Sequence, residues 1–279
     1  MEFKKLGRSD AEIPVLGLGT WGIGGFSSKD VAGDDDDLKA LTFGLDLGMH
    51  LIDTAEIYAS GHSEEVVARA IENRRESVFV ATKASPEHLS SEGVLNACNR
   101  SLKRLATEYI DLYQAHWPNP RIPISETMKA MERLVREGKV RFIGVSNFSV
   151  EQTRQAREAL STVDIVSNQV EYSLLDRSIE SELLPYAEKE RITVIAYSPL
   201  ARGRIATGLS RESKWSTMDK IATKYGKTRN QTALNWLVTK QPVIAIPKSA
   251  SLQHLMENLG GQGWKMDGED YDLLNQAFR

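Results

Sequence analysis

The most constraining feature of this 279-residue chain is an alternation, repeated eight times, between a short apolar run and a stretch with helical periodicity. Each run is rich in β-branched or aromatic residues, as expected of strands that are buried on both faces of a parallel sheet. The runs occupy residues 14–19, 49–53, 78–83, 110–116, 141–145, 165–167, 193–197 and 243–246. Eight such strands alternating with helices predict an α/β fold, a (β/α)8 TIM barrel, preceded by a small polar hairpin over residues 2–13. A doubly wound open sheet stays open as an alternative, because periodicity does not show whether a sheet closes.

The segments between these runs predict helices, some of which have recognisable start signals. They are residues 36–47, 63–74, 92–106, 125–137, 180–190, 217–225, 251–259 and 269–278. Ser63 is expected to cap its helix, and capping boxes predict further helix starts after Ser149 and Thr228. The acidic run at 33–37 is interpreted as a solvated helix start, and Cys98 as a small core residue on an apolar stripe.

The composition is that of an ordinary globular protein, with 41% hydrophobic and 26% charged residues. The net charge is −3, and a slightly acidic chain argues against nucleic acid as a partner. The single cysteine excludes an internal disulfide and fits a reducing cytoplasm. No secretory signal, linker or run of ~18 apolar residues is visible, so we expect one cytoplasmic domain over residues 1–279 that does not span a membrane.

Four polar side chains lie at or just after the ends of successive predicted strands. Asp53, Lys83 and His116 end the second, third and fourth runs, and Tyr58 lies on the loop after Asp53. In a barrel, these strand ends face the active site. Each residue alone has an ordinary structural interpretation, as a helix cap, a solvated terminus, a satisfied polar residue or a packing residue. Together they predict a functional cluster at one rim.

The chemistry of this cluster suits proton donation to a carbonyl oxygen. A free phenol has a pKa of ~10, and a neighbouring ammonium is expected to lower it. A carboxylate would keep the ammonium charged, and an imidazole N–H would orient the carbonyl. Carbonyl reduction also needs a hydride donor, which no side chain supplies, so a nicotinamide or flavin cofactor is implied.

Several motifs at or just past the strand ends resemble those of the aldo-keto reductase family. They are DTAEIY at 53–58, SEE at 63–65, ATK at 81–83, HWP at 116–118, GVSNF at 144–148, Gln169, AYSPL at 196–200 and IPKS at 246–249. This resemblance runs from Gly17 to Asn258 and implies a (β/α)8 barrel that uses NAD(P)H to reduce small aldehydes and ketones. It assigns Tyr58 as general acid, with Lys83 and Asp53 as its tuning pair and His116 as the orienting group.

The resemblance also implies a cofactor site. Matching positions for the nicotinamide end are Ser146, Asn147, Gln169 and the stacking Tyr197, with Thr20 and Trp21 lining the site. Those for the phosphates and the adenosine are Ser198, Leu200, Gly203, Lys248, Ser249, His254, Glu257 and Asn258. Trp21 is expected to form part of the substrate pocket wall, and Trp117 to belong either to that wall or to the core. Because a lysine at 248 supplies a point charge for a 2′-phosphate, NADPH is expected over NADH.

Three departures from the family pattern carry expectations of their own. Ala59 stands where a glycine usually follows the tyrosine, so the loop there is expected to differ in shape. His254 replaces a common arginine, which weakens the grip on the 2′-phosphate near neutral pH and leaves NADH possible. The chain ends at Arg279 without a specificity-narrowing extension, from which a broad range of small carbonyl substrates is expected.

Other functional classes receive less support from the sequence. GLGTWG at 17–22 fits a dinucleotide-binding fingerprint, but a loop follows where that fingerprint requires a helix. The five histidines form no H-x-H or H-E-x-x-H pair, so no metal site is expected. An NADPH-binding regulatory or redox-sensing subunit with little turnover stays open as the alternative function, although it would not need the complete set of four rim residues.

Overall fold

The computed structural model describes residues 1–208 and 212–279 and contains ten β-strands. The hairpin strands β1 (Phe3–Lys5) and β2 (Glu12–Pro14) pair antiparallel. The parallel strands are β3 (Leu18–Gly19), β4 (Leu51–Asp53), β5 (Phe79–Ala84), β6 (Ile110–Ala115), β7 (Val140–Ser146), β8 (Ile165–Glu171), β9 (Thr193–Tyr197) and β10 (Val243–Ala245). The predicted hairpin and all eight predicted strands are therefore confirmed.

The eight parallel strands follow one another in chain order around the sheet, and the two edges meet. Ala245 donates its backbone N–H to Val15 at 2.9 Å and accepts from Gly17 at 2.9 Å, which joins the last strand to the first. A second parallel bridge links Gly19 and Lys248. The sheet is thus closed as a barrel, and the open-sheet alternative is wrong.

Eleven α-helices lie in the described part of the chain. They are α1 (Asp34–Asp46), α2 (His62–Ile71), α3 (Ser91–Arg104), α4 (Ile124–Arg136), α5 (Val150–Glu158), α6 (Leu183–Glu190), α7 (Arg204–Thr207), α8 (Ser213–Lys224), α9 (Arg229–Val238), α10 (Leu252–Leu259) and α11 (Gly268–Ala277). The predicted helices agree to within a few residues at their ends. The short α7 was not expected, because four residues carry no readable period.

The helix starts correct two details of the sequence interpretation. The capping boxes at Ser149 and Thr228 are confirmed, with both reciprocal bonds present. Ser63, however, does not cap α2: the helix begins one residue earlier, after Gly61, and the Ser63 hydroxyl donates to that of Thr20 at 2.9 Å. The acidic run does start α1, but it is not simply solvated, because Asp37 is buried and accepts a backbone N–H across a loop.

The hairpin closes the N-terminal end of the barrel. Leu6 and Ile13 are buried against the lower layer of inward-facing strand residues, which includes Leu51, Leu112 and Ile244. The hairpin therefore supplies apolar packing at the end of the barrel opposite to the rim where the strands end. Outside the barrel, Cys98 is fully buried among the helix contacts, as expected, and burial raises the pKa of its thiol to about 12. No helix among residues 1–208 and 212–279 is long and apolar enough to cross a membrane.

The apolar contact between hairpin and barrel predicts a large effect of truncation. Ile13→Ala leaves a cavity at a site that is 1% exposed, and we expect a loss of about 2–5 kcal/mol in the free energy of unfolding. Chemical denaturation measures it. Phe3→Ala, on the same hairpin but 51% exposed, is the control and should cost far less. Equal losses in both variants would contradict the view that the hairpin acts as an apolar plug.

Candidate active site

The Lys83 ammonium forms the centre of the polar rim. Its side chain is fully buried, and its Nζ donates to Asp53 Oδ2 at 2.6 Å, to the Thr54 carbonyl at 2.8 Å and to the Tyr58 hydroxyl at 3.4 Å. Burial lowers the pKa of Lys83, but the Asp53 charge and these hydrogen bonds outweigh burial and raise it overall. The lysine is therefore a fixed cation beside the phenol, as the sequence predicts.

Asp53 has a second partner that the sequence interpretation did not foresee. Its Oδ1 accepts a hydrogen bond of 2.7 Å from Gln169 Nε2, while Oδ2 contacts the ammonium. Both oxygens are therefore engaged, and Asp53 is 2% exposed. Since β4 and β8 lie on opposite sides of the barrel, this bond crosses its interior and fixes the carboxylate from both directions.

Tyr58 lies on a short 3-10 turn after β4, and burial there adds to the expected effect of Lys83. Burial raises the pKa of the phenol above its ordinary value, and the nearby Lys83 ammonium lowers it by less than burial raises it. The expected lowering by Lys83 is therefore present, but burial, which the sequence does not show, outweighs it. The phenol stays protonated through the neutral range, which is the form that a proton donor requires.

His116 follows β6 and lies across from the phenol, with ring centroids 5.7 Å apart. Burial, helped by repulsion from Lys83, lowers its pKa from 6.5 to about 3. The imidazole is therefore neutral near pH 7 and carries one N–H. A neutral ring can donate that N–H to a carbonyl oxygen without adding a second positive charge beside Lys83.

A hydrogen-bonded group of side chains from β7, β8 and β9 continues the rim. Asn147, in the left-handed conformation at φ 61°, donates to the His116 carbonyl at 3.0 Å and accepts from the Tyr197 hydroxyl at 3.1 Å. The Ser146 hydroxyl donates to the Gln169 backbone at 2.9 Å. Four residues predicted for the nicotinamide end therefore form one connected group that adjoins the Lys83 cluster.

The residues predicted for the phosphates and the adenosine follow β9 and β10. The loop after Tyr197 is left-handed at Ser198 and Gly203, with φ 48° and 86°, and loops with such backbone form anion-binding concavities. Lys248 is exposed just after β10, and Ser249 lies beside it. Leu200 is half-buried and lies in the loop after β9.

The adenosine-end residues lie on α10. His254 is exposed, and its backbone N–H is capped by Ser251 at 3.5 Å. Asn258 is buried, whereas the half-buried Glu257 accepts a hydrogen bond of 2.7 Å from the Thr228 hydroxyl, which ties α10 to the start of α9. The Glu257 carboxylate therefore already has a partner within the chain.

The mouth of the site is aromatic. Trp21 and Trp117 are 50% and 47% exposed, and the Trp21 ring contacts Tyr58 edge-on at 4.9 Å between centroids. The sequence interpretation missed Phe26, which is 63% exposed and 6.1 Å from Trp21, and Ile57, which is also exposed. The available signal was an apolar residue in an otherwise polar, glycine-rich loop.

This fold places a set of proton donors of a kind that suits chemistry at a carbonyl oxygen. The aldo/keto reductase family model matches residues 15–278. The chain is 36% identical over 270 residues to methylglyoxal reductase YeaE of Escherichia coli strain K12, covering 96% of this chain and 92% of that protein. The chain therefore belongs to the aldo-keto reductase family.

Solved structures agree with this assignment. The thermostable aldo-keto reductase Tm1743, crystallised with the inhibitor epalrestat, superposes with a TM-score of 0.94 at 44% identity, over 99% of this chain and 100% of that one. An aldo-keto reductase from Klebsiella pneumoniae in complex with NADPH superposes at 0.89 and 38% identity, over 100% and 96%. Both cover the barrel together with its rim loops.

The buried, neutral His116 predicts an acid-dependent loss of stability. Below pH 6.5 the unfolded chain binds a proton that the folded imidazole, with its pKa of about 3, does not bind. This contribution is therefore complete above pH 6.5 and is lost as the pH falls towards 3, by about 2 kcal/mol at pH 5. The free energy of unfolding, measured at several pH values, should decrease less steeply with falling pH in His116→Gln than in the wild type.

The matched control is His254→Gln, which removes an exposed histidine. It should keep the wild-type pH dependence of stability. An identical pH dependence in His116→Gln and the wild type would mean that the imidazole is not held neutral.

Proposed function

We propose that this protein reduces small aldehydes and ketones to alcohols with NADPH, with Tyr58 as general acid. The observation that carries the proposal is the fully buried Lys83 ammonium, 2.6 Å from Asp53 and 3.4 Å from the phenol oxygen. A buried cation is costly unless it is paired. The buried Lys83 ammonium lies beside a protonated phenol and a neutral imidazole. Together these three groups suit the protonation of a carbonyl oxygen.

The rim residues fit a nicotinamide dinucleotide. Ser146, Asn147 and Gln169 offer hydroxyl and amide groups, and Gln169 would accept from the carboxamide through Oε1, since its Nε2 is engaged by Asp53. The Tyr197 ring would stack on the nicotinamide, and Thr20 and Trp21 would line this end. When bound, the reduced nicotinamide supplies the hydride.

The loops after β9 and β10 supply the remaining contacts that a dinucleotide needs. Ser198, Leu200 and Gly203 would hold the pyrophosphate in the left-handed loop. Lys248 and Ser249 would hold the 2′-phosphate, and the α10 residues His254, Glu257 and Asn258 would hold the adenosine. The Klebsiella relative crystallised with NADPH supports this choice of cofactor.

The chain's own groups perform three tasks in the reaction. His116 donates its N–H to the substrate oxygen and fixes the carbonyl's orientation. Tyr58 donates its hydroxyl proton to that oxygen as negative charge develops there. Lys83 stabilises the phenolate that is left, because a cation at 3.4 Å favours the anionic form, and Asp53 keeps the lysine charged.

The substrate class follows from the pocket mouth. Trp21 and Trp117, half exposed at this mouth, offer broad apolar contact that does not depend on a particular substituent. We therefore propose a broad range of small carbonyl compounds, which includes dicarbonyls such as the one that names the Escherichia coli relative. A single aldehyde favoured by several orders of magnitude would contradict this breadth.

Replacing the proposed acid tests the mechanism. Tyr58→Phe keeps the ring and removes the proton donor, so we expect turnover to fall about 10²–10⁴-fold with cofactor affinity unchanged. Steady-state reduction of simple aldehydes measures the turnover, and quenching of tryptophan fluorescence measures the cofactor affinity. Tyr109→Phe, remote from the rim, is the control. Wild-type turnover in Tyr58→Phe would remove the acid assignment, and cofactor binding by the wild type without turnover of any carbonyl would favour a regulatory subunit instead.

The choice between NADPH and NADH is tested by replacing Lys248 and His254, which are both exposed. Titration with NADPH and NADH should give tighter binding of NADPH, and Lys248→Ala should weaken NADPH alone. His254→Arg adds a permanent charge, so its preference for NADPH near pH 8 should rise about fivefold, as expected for one exposed ion pair. Comparable binding of both cofactors by the wild type would remove the 2′-phosphate assignment and leave the proposed reduction intact.

A further inference from the structure

Two buried carboxylates lie on either side of Tyr58 in the sequence, and both are bound by one helix. Glu56 precedes the tyrosine by two residues and Glu64 follows it by six. Their partners are Arg100 and Arg104 of α3. Because residues four apart share a face of a helix, one face of α3 holds both ends of the segment that carries Tyr58.

The contact at Glu64 is the more buried of the two. Glu64 is fully buried, and its Oε2 accepts a hydrogen bond of 2.6 Å from Arg104 Nε. Its Oε1 accepts from the Thr82 hydroxyl at 2.6 Å. Thr82 precedes Lys83 in β5 and faces the opposite side of the sheet. Glu64 therefore connects the helix after Tyr58 both to α3 and to the strand that carries the lysine.

The contact at Glu56 fixes the other end. Glu56 Oε2 accepts from Arg100 at 3.3 Å, and Oε1 accepts from the backbone N–H of Ser85 and from His88, both at 2.8 Å. Burial raises the pKa of Glu56, and these hydrogen bonds outweigh that effect and lower it. The carboxylate is therefore charged at neutral pH and joins the Tyr58 loop to the loop that follows Lys83.

The backbone between these two anchors is strained. Ala59, Ser60 and Gly61 follow Tyr58 with φ of 50°, 56° and 94°, so three consecutive residues are left-handed and two of them carry a Cβ. Such conformations persist only where surrounding contacts impose them. Arg104 supplies one of these contacts directly, because its side chain packs on Gly61 so closely that a Cβ there would lie 2.7 Å from Arg104 Cδ.

We propose that Arg100 and Arg104 form a clamp that, through Glu56 and Glu64, holds the strained loop so that the Tyr58 hydroxyl faces Lys83. This proposal rests on the proposed role of Tyr58 as the proton donor. The four residues are positioning residues, since none of them contacts the reacting groups. Their loss lets the loop relax and moves the phenol away from the ammonium.

The buried charges allow positioning to be separated from stability. Burial raises the pKa of Glu64, and the Arg104 charge is the largest effect that lowers it. Arg104→Met therefore leaves a buried carboxyl group that either stays charged without its cation or takes up a proton, and either outcome should lower Tm. The double variant Glu64→Gln with Arg104→Met buries no unpaired charge, so Tm should recover most of that loss. The Arg104–Glu64 contact of the clamp is absent in both variants, whereas the Arg100–Glu56 contact remains. We therefore expect kcat to stay at least about tenfold below wild type in the double variant, because small displacements of a reacting group are costly.

Two further measurements test whether a relaxed Tyr58 loop causes the lower kcat. The alkaline limb of the kcat pH profile should move to higher pH in the double variant, because the phenol loses the cation that lowers its pKa. Hydrogen–deuterium exchange of the peptide spanning residues 54–61 should become faster. Arg133→Met is the matched control: Arg133 pairs with Glu137 on the exposed face of α4, and its loss should change none of these quantities.

The outcomes separate the two proposals. If Tm, kcat and exchange all recover together in the double variant, the arginines are merely structural and the clamp is wrong. If the double variant does not fold, Glu64→Gln alone decides by the same three measurements. If the wild type turns over no carbonyl compound, the proposed function fails, and the exchange of residues 54–61 alone tests the clamp.

Discussion

The pairing of a fully buried ammonium with a buried carboxylate is the interaction on which the rest of this site depends. Lys83 has no access to solvent, and its charge is tolerated only because Asp53, the Thr54 carbonyl and the Tyr58 hydroxyl surround it. Asp53 in turn is held by Gln169 from the far side of the barrel. Closure of the barrel therefore has a chemical consequence, because it brings β8 within hydrogen-bonding distance of β4.

The barrel gives its two ends different tasks. At the N-terminal end, Leu6 and Ile13 of the hairpin complete an apolar layer that excludes water from below. At the other end, buried polar side chains lie beneath the exposed aromatic residues Trp21, Phe26 and Trp117. Low polarity around them accounts for the neutral His116 and the protonated Tyr58, since burial disfavours the charged form of both groups. The Lys83 charge acts on both groups, since it lowers the pKa of His116 further and lowers that of Tyr58.

Sequence reasoning succeeded where a local rule was sufficient and failed where distant groups compete. The strands and the capping boxes at Ser149 and Thr228 follow from nearest-neighbour patterns, so they were predicted correctly. Ser63 was predicted to cap a helix, but its hydroxyl donates a hydrogen bond to Thr20, which lies 43 residues away in the chain. The motif shows the neighbouring lysine that lowers the Tyr58 pKa, but it does not show how deeply the phenol is buried, and burial raises that pKa overall.

The sequence by itself determined the order of strands and helices, and it placed Asp53, Lys83 and His116 at strand ends and Tyr58 on the loop after β4, because these features depend on residue type and spacing along the chain. Family membership could likewise be inferred from the motifs before any coordinates were considered. Only the tertiary structure decided that Gln169 binds Asp53, that Phe26 stands at the mouth, and that α3 holds both ends of the Tyr58 loop. These contacts join residues far apart in the chain, and they depend on barrel curvature and loop backbone angles, which no local pattern specifies.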